Sequence, residues 1–156
     1  MGFSAHPQII IGIEASEIVS EKTEVETYEI HDQRGKKTGQ MGKEETTVFS
    51  AVVNGKEKTI TDGVHSESIS DLLDIEDYPN TSNFGIIDTV FEGEHSLESC
   101  IIGVPVLEID LMYGERIENI GLVEIAEATQ EVKTKCKEMF NKDVEPKIFL
   151  YGNSGY

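Results

Sequence analysis

Carboxylates are the side chains whose number and spacing could do chemistry in this chain. Asp71, Asp74, Glu76 and Asp77 form one group, and Asp88, Glu92, Glu94 and Glu98 surround an expected turn. Glu108 and Asp110, followed by Glu115 and Glu118, close a hydrophobic run. All lie in a block from Ile60 to Glu131 that holds 17 of the 30 acidic residues and a single basic one, Arg116. The flanks come close to cancelling: residues 1–59 carry ten acids and seven bases, and residues 132–156 carry three and five. Solubility alone is usually served by mixed signs. A one-signed field repels phosphate backbones and attracts basic surfaces. Spread over strands and loops, such acids can imitate the phosphates of a nucleic-acid strand, spaced at roughly 3.4 Å. Asp71, Asp74, Glu76, Asp77, Asp88, Glu92, Glu94, Glu98, Glu108 and Asp110 are therefore the expected contacts to a partner's basic surface.

Other constellations carry less. Glu92-x-Glu94-His95-x-x-Glu98 gathers four oxygen or nitrogen donors, yet it matches neither the calcium-loop nor the HExxH pattern, so no metal is assigned. Cys100 opens an apolar run and Cys136 falls on an apolar helical stripe, so both read as small buried hydrophobes and not as nucleophiles. No catalytic residue and no cofactor motif stands out, and the expected protein is not an enzyme. The second hypothesis rests on a basic, glycine-rich loop at residues 32–43. There Arg34, Lys36, Lys37 and Lys43 alternate with Gly35, Gly39 and Gly42, a composition that could gather amides and cations around a nucleotide or other anionic small molecule. The same loop could meet the acidic surface of another copy and build a homo-oligomer.

The elements that must position these residues follow from periodicity. Gln8–Ala15 reads as a central strand with isoleucines on both faces, and Lys22–His31 as a half-exposed strand rich in β-branched residues. Thr46–Val53 and Lys56–Thr61 flank Asn54-Gly55, the pair that favours a two-residue hairpin. Ser66–Asp74 reads as a short helix with Ser66 capping it and Ile69, Leu72 and Leu73 inward. Ile86–Phe91 and Cys100–Leu111 read as strands, with Pro105 marking a bulge or an edge-facing amide in the second. Leu122–Phe140 carries an apolar stripe at helical spacing, in which Ile125, Val132, Cys136 and Met139 should be buried and Glu124, Glu127 and Glu131 exposed. Lys147–Tyr151 makes a last strand. The expected class is α+β: a single domain over residues 1–156, with an antiparallel or mixed sheet and one long C-terminal amphipathic helix packed on one face.

With 156 residues and two cysteines, the chain fits one reduced domain of formal net charge −17. The first residues show neither a basic nor an apolar leader segment, and the longest apolar run, Cys100–Leu107, is too short to cross a bilayer. A cytoplasmic protein without membrane contact and without direct nucleic-acid binding is expected. An isoleucine-rich first strand, the Lys22–His31 strand running into a charged glycine loop, the Ile101-Ile102-Gly103-Val104 strand and a charged helix closing on Glu145-Pro146-Lys147-Ile148-Phe149-Leu150-Tyr151 together give a layout that resembles the small accessory proteins of large bacteriophages. That resemblance implies a counter-defence factor that masks a host protein or sequesters a nucleotide signal. It transfers no functional residue.

Overall fold

A computed structural model describes residues 4–5, 8–61, 63–90, 94–108, 119–152 and 154–155. In chain order the elements are β1 (Ser4–Ala5), β2 (Gln8–Glu14), a 3-10 turn (Ala15–Glu17), β3 (Ser20–His31), β4 (Lys37–Val53), β5 (Lys56–Ile60), α1 (Ser66–Leu73), β6 (Glu76–Asp77), β7 (Gly85–Asp88), β8 (Cys100–Glu108), α2 (Leu122–Phe140), β9 (Lys147–Tyr151) and β10 (Ser154–Gly155). The fold is α+β. A mixed five-stranded sheet runs β6-β7-β8-β2-β9, a three-stranded meander runs β3-β4-β5, and β1 pairs with β10. Only β6 and β7 are parallel within the five-stranded sheet.

The β2–β8 pair forms the middle of that sheet. Its strands read as continuous apolar runs because both faces are covered. Ile11 and Ile13 of β2, Ile86 of β7 and Ile102 and Val104 of β8 face the main core. Ile10, Ile87 and Ile101 face a smaller cluster that includes Phe149 and Tyr151. Gly12 lies directly opposite Gly103. A Cβ on Gly12 would strike the carbonyl of Ile102, and one on Gly103 the carbonyl of Ile11, so the strands approach too closely there for any side chain. Two positions on, Ile9 pairs with Leu107 while Ile10 pairs with Pro105, which leaves Val106 as the extra residue of a bulge. Proline thus sits where the ladder is already irregular.

α2 covers the main-core face of this sheet and buries Ala128, Val132, Cys136 and Phe140. The stripe differs in detail from the sequence reading: Ile125 and Met139 are only partly buried, and Leu122 is 84% exposed. The helix contacts the sheet mainly beyond its first turn, so its opening residues stand clear. Asn141 closes it in the left-handed conformation (φ 54°). Its last turn is tied to the meander, because the amide of Asn54 donates to the carbonyl of Met139 at 2.7 Å. Asn54 and Gly55 both have positive φ (51° and 80°), as the two-residue hairpin requires.

α1 packs on β7 and on the meander and buries Ile69, Leu72 and Leu73. Its N-cap is His65, and Ser66 is the first helical residue. Ser68 closes the turn by accepting the His65 amide at 3.1 Å, which corrects the expectation that Ser66 caps. β7 also ends sooner than expected, at Asp88, whose side chain takes over the amide of Val90 (3.0 Å). Phe91 and residues 109–111, expected in strands, lie outside the described residues.

The largest departure concerns β3 and β4. The loop expected at residues 32–42 is mostly strand, because β4 begins at Lys37, and the two strands pair from Ser20–Ser50 out to His31–Lys37. The turn is only residues 32–36. Gly42 lies opposite Tyr28, and the Tyr28 ring rests where a Gly42 side chain would be, so an aromatic covers the glycine that composition alone reads as loop. Phe49, Ala51 and Val53 anchor the root of this hairpin in the main core. Beyond them it leaves the body: residues 20–29 of β3 are all exposed, so the expected half-buried strand is instead wet on both faces.

Two measurements check this packing. Gly103→Ala forces the central strands apart and should cost about 1–3 kcal/mol or more, read as a lower melting temperature. Burial pushes the thiols of Cys100 and Cys136 from 9.0 up to about 12, with Asp88 adding to the effect at Cys100 and Glu17 at Cys136. Native protein should therefore resist alkylation at about pH 8, while the unfolded chain reacts at both thiols. Because unfolded thiols ionise near 9.0 and folded ones near 12, their ionisation should lower stability as pH rises through that window. Rapid labelling of the native protein would contradict this packing.

Candidate functional site

A depression of about 740 Å³ is built from chain segments far apart in sequence. Gln8 enters it from the start of β2, Glu108 from the end of β8 and Tyr151 from the end of β9. The start of α1 contributes His65, Ser66 and Glu67, and the end of β6 and the residue after it contribute Asp77 and Tyr78. Asp88 and His95 bring in the connection between β7 and β8.

Asp88 organises one side of this cleft. It is 3% exposed, and a carboxylate that deep in the fold needs hydrogen-bond donors. His95 Nδ1 lies 2.6 Å from Oδ2, and since an ionised carboxylate only accepts, Nδ1 carries the proton. Oδ1 accepts from the Val90 amide at 3.0 Å; the Ser99 hydroxyl lies 3.4 Å from it, but its one proton has the shorter acceptor in the Ser96 carbonyl at 2.8 Å. The Tyr78 hydroxyl donates to the Asp88 carbonyl at 3.1 Å. His65 stands edge-on to His95 with ring centroids 5.0 Å apart. Burial raises the Tyr78 phenol; a side-chain hydrogen bond to Ser66 opposes this, and the charge on Asp88 adds to it. Burial and then Asp88 raise Tyr151 as well. One buried charge therefore acts across the whole cleft.

The remaining polarity is that of an acceptor-rich surface. Glu67, Asp77 and Glu108 are exposed at the cleft, and Gln8 Oε1 is a buried oxygen without a hydrogen-bond partner. No lysine or arginine is among the described lining residues. An Asp–His pair can in general orient an imidazole to take a proton, yet Asp88 is the only hydrogen-bond partner of His95 among the described residues. Nor, among the described residues, is any group of three or more His, Cys, Asp and Glu arranged to hold a metal ion.

The ten acids expected to meet a partner are distributed unevenly. Asp77, Asp88 and Glu108 come together at the cleft, but Asp88 is buried and paired, which removes it from any contact surface. Asp74 and Glu76 line a second, shallower depression beside Glu131 and Lys135. Asp71 is exposed on α1, and Glu94 and Glu98 are exposed in the connection before β8. Glu92 and Asp110 lie outside the described residues. His65, Tyr78, Tyr151 and Gln8 were not legible as site residues. The one signal pointing here was His95 among its acids, whose true partner, Asp88, lies just outside that motif.

The basic loop is geometrically unlike a phosphate cradle. Asp32 Oδ1 accepts the amides of Arg34 and Lys36, both at 2.8 Å, so those donors are already used. Lys37 pairs with Glu29 at 3.2 Å, and Lys43 lies down the strand opposite Thr27. The four cations stud the end of a hairpin and do not converge.

Asp88→Asn keeps the shape of the hub and removes its charge. The Tyr78 and Tyr151 phenols should then ionise at lower pH, since part of their upward displacement comes from Asp88, and the Val90 amide should exchange faster with solvent. An unchanged phenol titration would show that Asp88 does not act across the cleft.

The chain matches no family model, curated protein or solved structure, so its own geometry carries the functional reading.

Proposed function

We propose that this chain is a non-enzymatic binding protein whose acidic face receives a basic, nucleic-acid-binding surface of another protein. The observation that carries the reading is the cleft with exposed Glu67, Asp77 and Glu108 at its wall, a Gln8 oxygen without a partner among the described residues, and no lysine or arginine among its described lining residues. Such a surface offers carboxylate acceptors and, among its described lining residues, no lysine or arginine to neutralise them. An arginine or lysine side chain supplies donors without acceptors, and Tyr78 and Tyr151 offer ring faces for cation–π contact. Asp71, Asp74 and Glu76 extend the exposed acidity along α1 and β6. The layout resemblance to phage accessory proteins agrees with a counter-defence role in which the acids stand in for a nucleic acid on a host protein.

An arginine-rich peptide is the appropriate probe. Calorimetry should show binding at about 0.05 M salt that weakens steeply toward about 0.5 M, and a DNA duplex should compete for the peptide. The pair Asp74→Lys and Asp77→Lys should raise the dissociation constant roughly three- to tenfold, because exposed pairs contribute modestly each, and the loss should appear mainly as slower association. Affinity that is indifferent both to salt and to these reversals would refute the reading.

A further inference from the structure

The hairpin of β3 and β4 beyond its root is the part of the molecule that the cleft does not explain. β3 has 12 residues, which at about 3.4 Å per residue makes an arm of roughly 40 Å. Residues 20–29 are exposed, and Val25, Tyr28 and Met41 are 53%, 50% and 58% accessible along its length. An isolated two-stranded ribbon is marginal in water. This one also sets Glu26 directly opposite Glu44, a like-charge pair that weakens it further. Its outer edges are open: among the described residues β3 pairs with β4 alone, and β5 covers β4 only from Phe49 to Val53.

The charge along the arm is polarised. Residues 27–43 carry Arg34, Lys36, Lys37 and Lys43 against Glu29 and Asp32, so the tip has two more bases than acids, with Lys37 paired to Glu29 at 3.2 Å. At the other end, α1 packs against β4 and β5, and Lys58 Nζ donates to the Asp71 carbonyl at 3.2 Å, which fixes α1 beside the arm's root. The exposed acids Glu67, Asp71 and Asp74 on and just after that helix therefore stand one arm's length from the basic tip of the same molecule.

We infer that two copies of this chain pair through their arms, antiparallel about a two-fold axis, so that the basic tip of each rests against the α1 acids at the root of the other. The occupant follows from the geometry. Two arms of equal length laid antiparallel bring tip to root twice in one closed, self-complementary contact. Pairing covers the exposed Val25 and Met41, which share one face of the ribbon because Met41 lies opposite Glu29. Each copy carries net charge −17, but the arms hold the bodies apart by several Debye lengths of about 8 Å at physiological salt, whereas tip and root meet within one. The α1 acids used here also border the face proposed to receive a foreign partner, but self-association is tested with purified protein alone.

Sedimentation equilibrium of the wild-type chain should give a dimer near physiological ionic strength that dissociates toward about 1 M salt. Lys36→Glu with Lys37→Glu should give a monomer, and so should Glu67→Lys with Asp71→Lys. Mixed together, those two variants should form a heterodimer, because both tip-to-root contacts then join opposite signs again. All four positions are exposed, and circular dichroism checks that each variant is folded; the milder Lys36→Gln with Lys37→Gln adds no repulsion and should weaken dimerisation by roughly three- to tenfold. A wild-type chain that stays monomeric, reversed variants that dimerise as the wild type does, a mixture that remains monomeric, or an open series of larger species would each overturn the inference.

Discussion

The close approach of β2 and β8 at Gly12 and Gly103 is the constraint on which the rest of the structure depends. With no side chain possible at either position, the two backbones lie nearer than substituted strands can, and the pair becomes the middle of the five-stranded sheet. Everything else is layered on it. Isoleucines on one face meet α1, α2 and the root of the meander, and those on the other meet Phe149 and Tyr151. The bulge at Val106 lies between the glycine pair and the far end of the same two strands, where Gln8 and Glu108 reach the cleft. Placement of the cleft residues is thus downstream of how two glycines let the sheet form.

Electrostatics sets a second constraint, and the fold handles it by separation. Net charge −17 on 156 residues works against compactness through self-repulsion. Most acids stay in water, where screening limits their cost. Asp88 is buried instead, with a histidine on one oxygen and a backbone amide on the other, and so ties the end of β7 to His95. The same charge, acting on Tyr78 and Tyr151 through a partly buried environment, gives the cleft its polarity. A buried carboxylate with donors on both oxygens is a scaffold element here as much as a site element.

The arm shows the opposite physics. Its root is secured by Phe49, Ala51 and Val53 in the main core, and its far half is kept in register by the ladder, the Tyr28 ring over Gly42, the Asp32 turn, the Lys37–Glu29 pair and the Thr38 hydroxyl on the Ile30 carbonyl. Local order with little burial places the far half of the arm at the low-stability end of the structure.

Periodicity and turn chemistry determined much of this protein in advance. Asn54-Gly55 dictates its hairpin because both residues tolerate positive φ, the apolar stripe of Leu122–Phe140 dictates a helix, and the buried positions Val132 and Cys136 follow from 3.6-residue spacing. The charge segregation, too, is a property of composition. Tertiary structure decided what no local pattern encodes. Residues 37–42 are strand because β3 offers a register and an aromatic ring, although their glycines and lysines read as loop. Asp88 looked like one acid among ten and is buried because the strand ends there and the next segment folds its donors back over it. His65 and His95, 30 positions apart, meet only because α1 packs on β7, and Gln8 and Tyr151, near opposite ends of the chain, meet because β2 pairs with β9. Short-range sequence specifies conformation through backbone sterics and side-chain period, whereas a site assembled from strand ends depends on which strands pair, and that choice is made by the whole core at once.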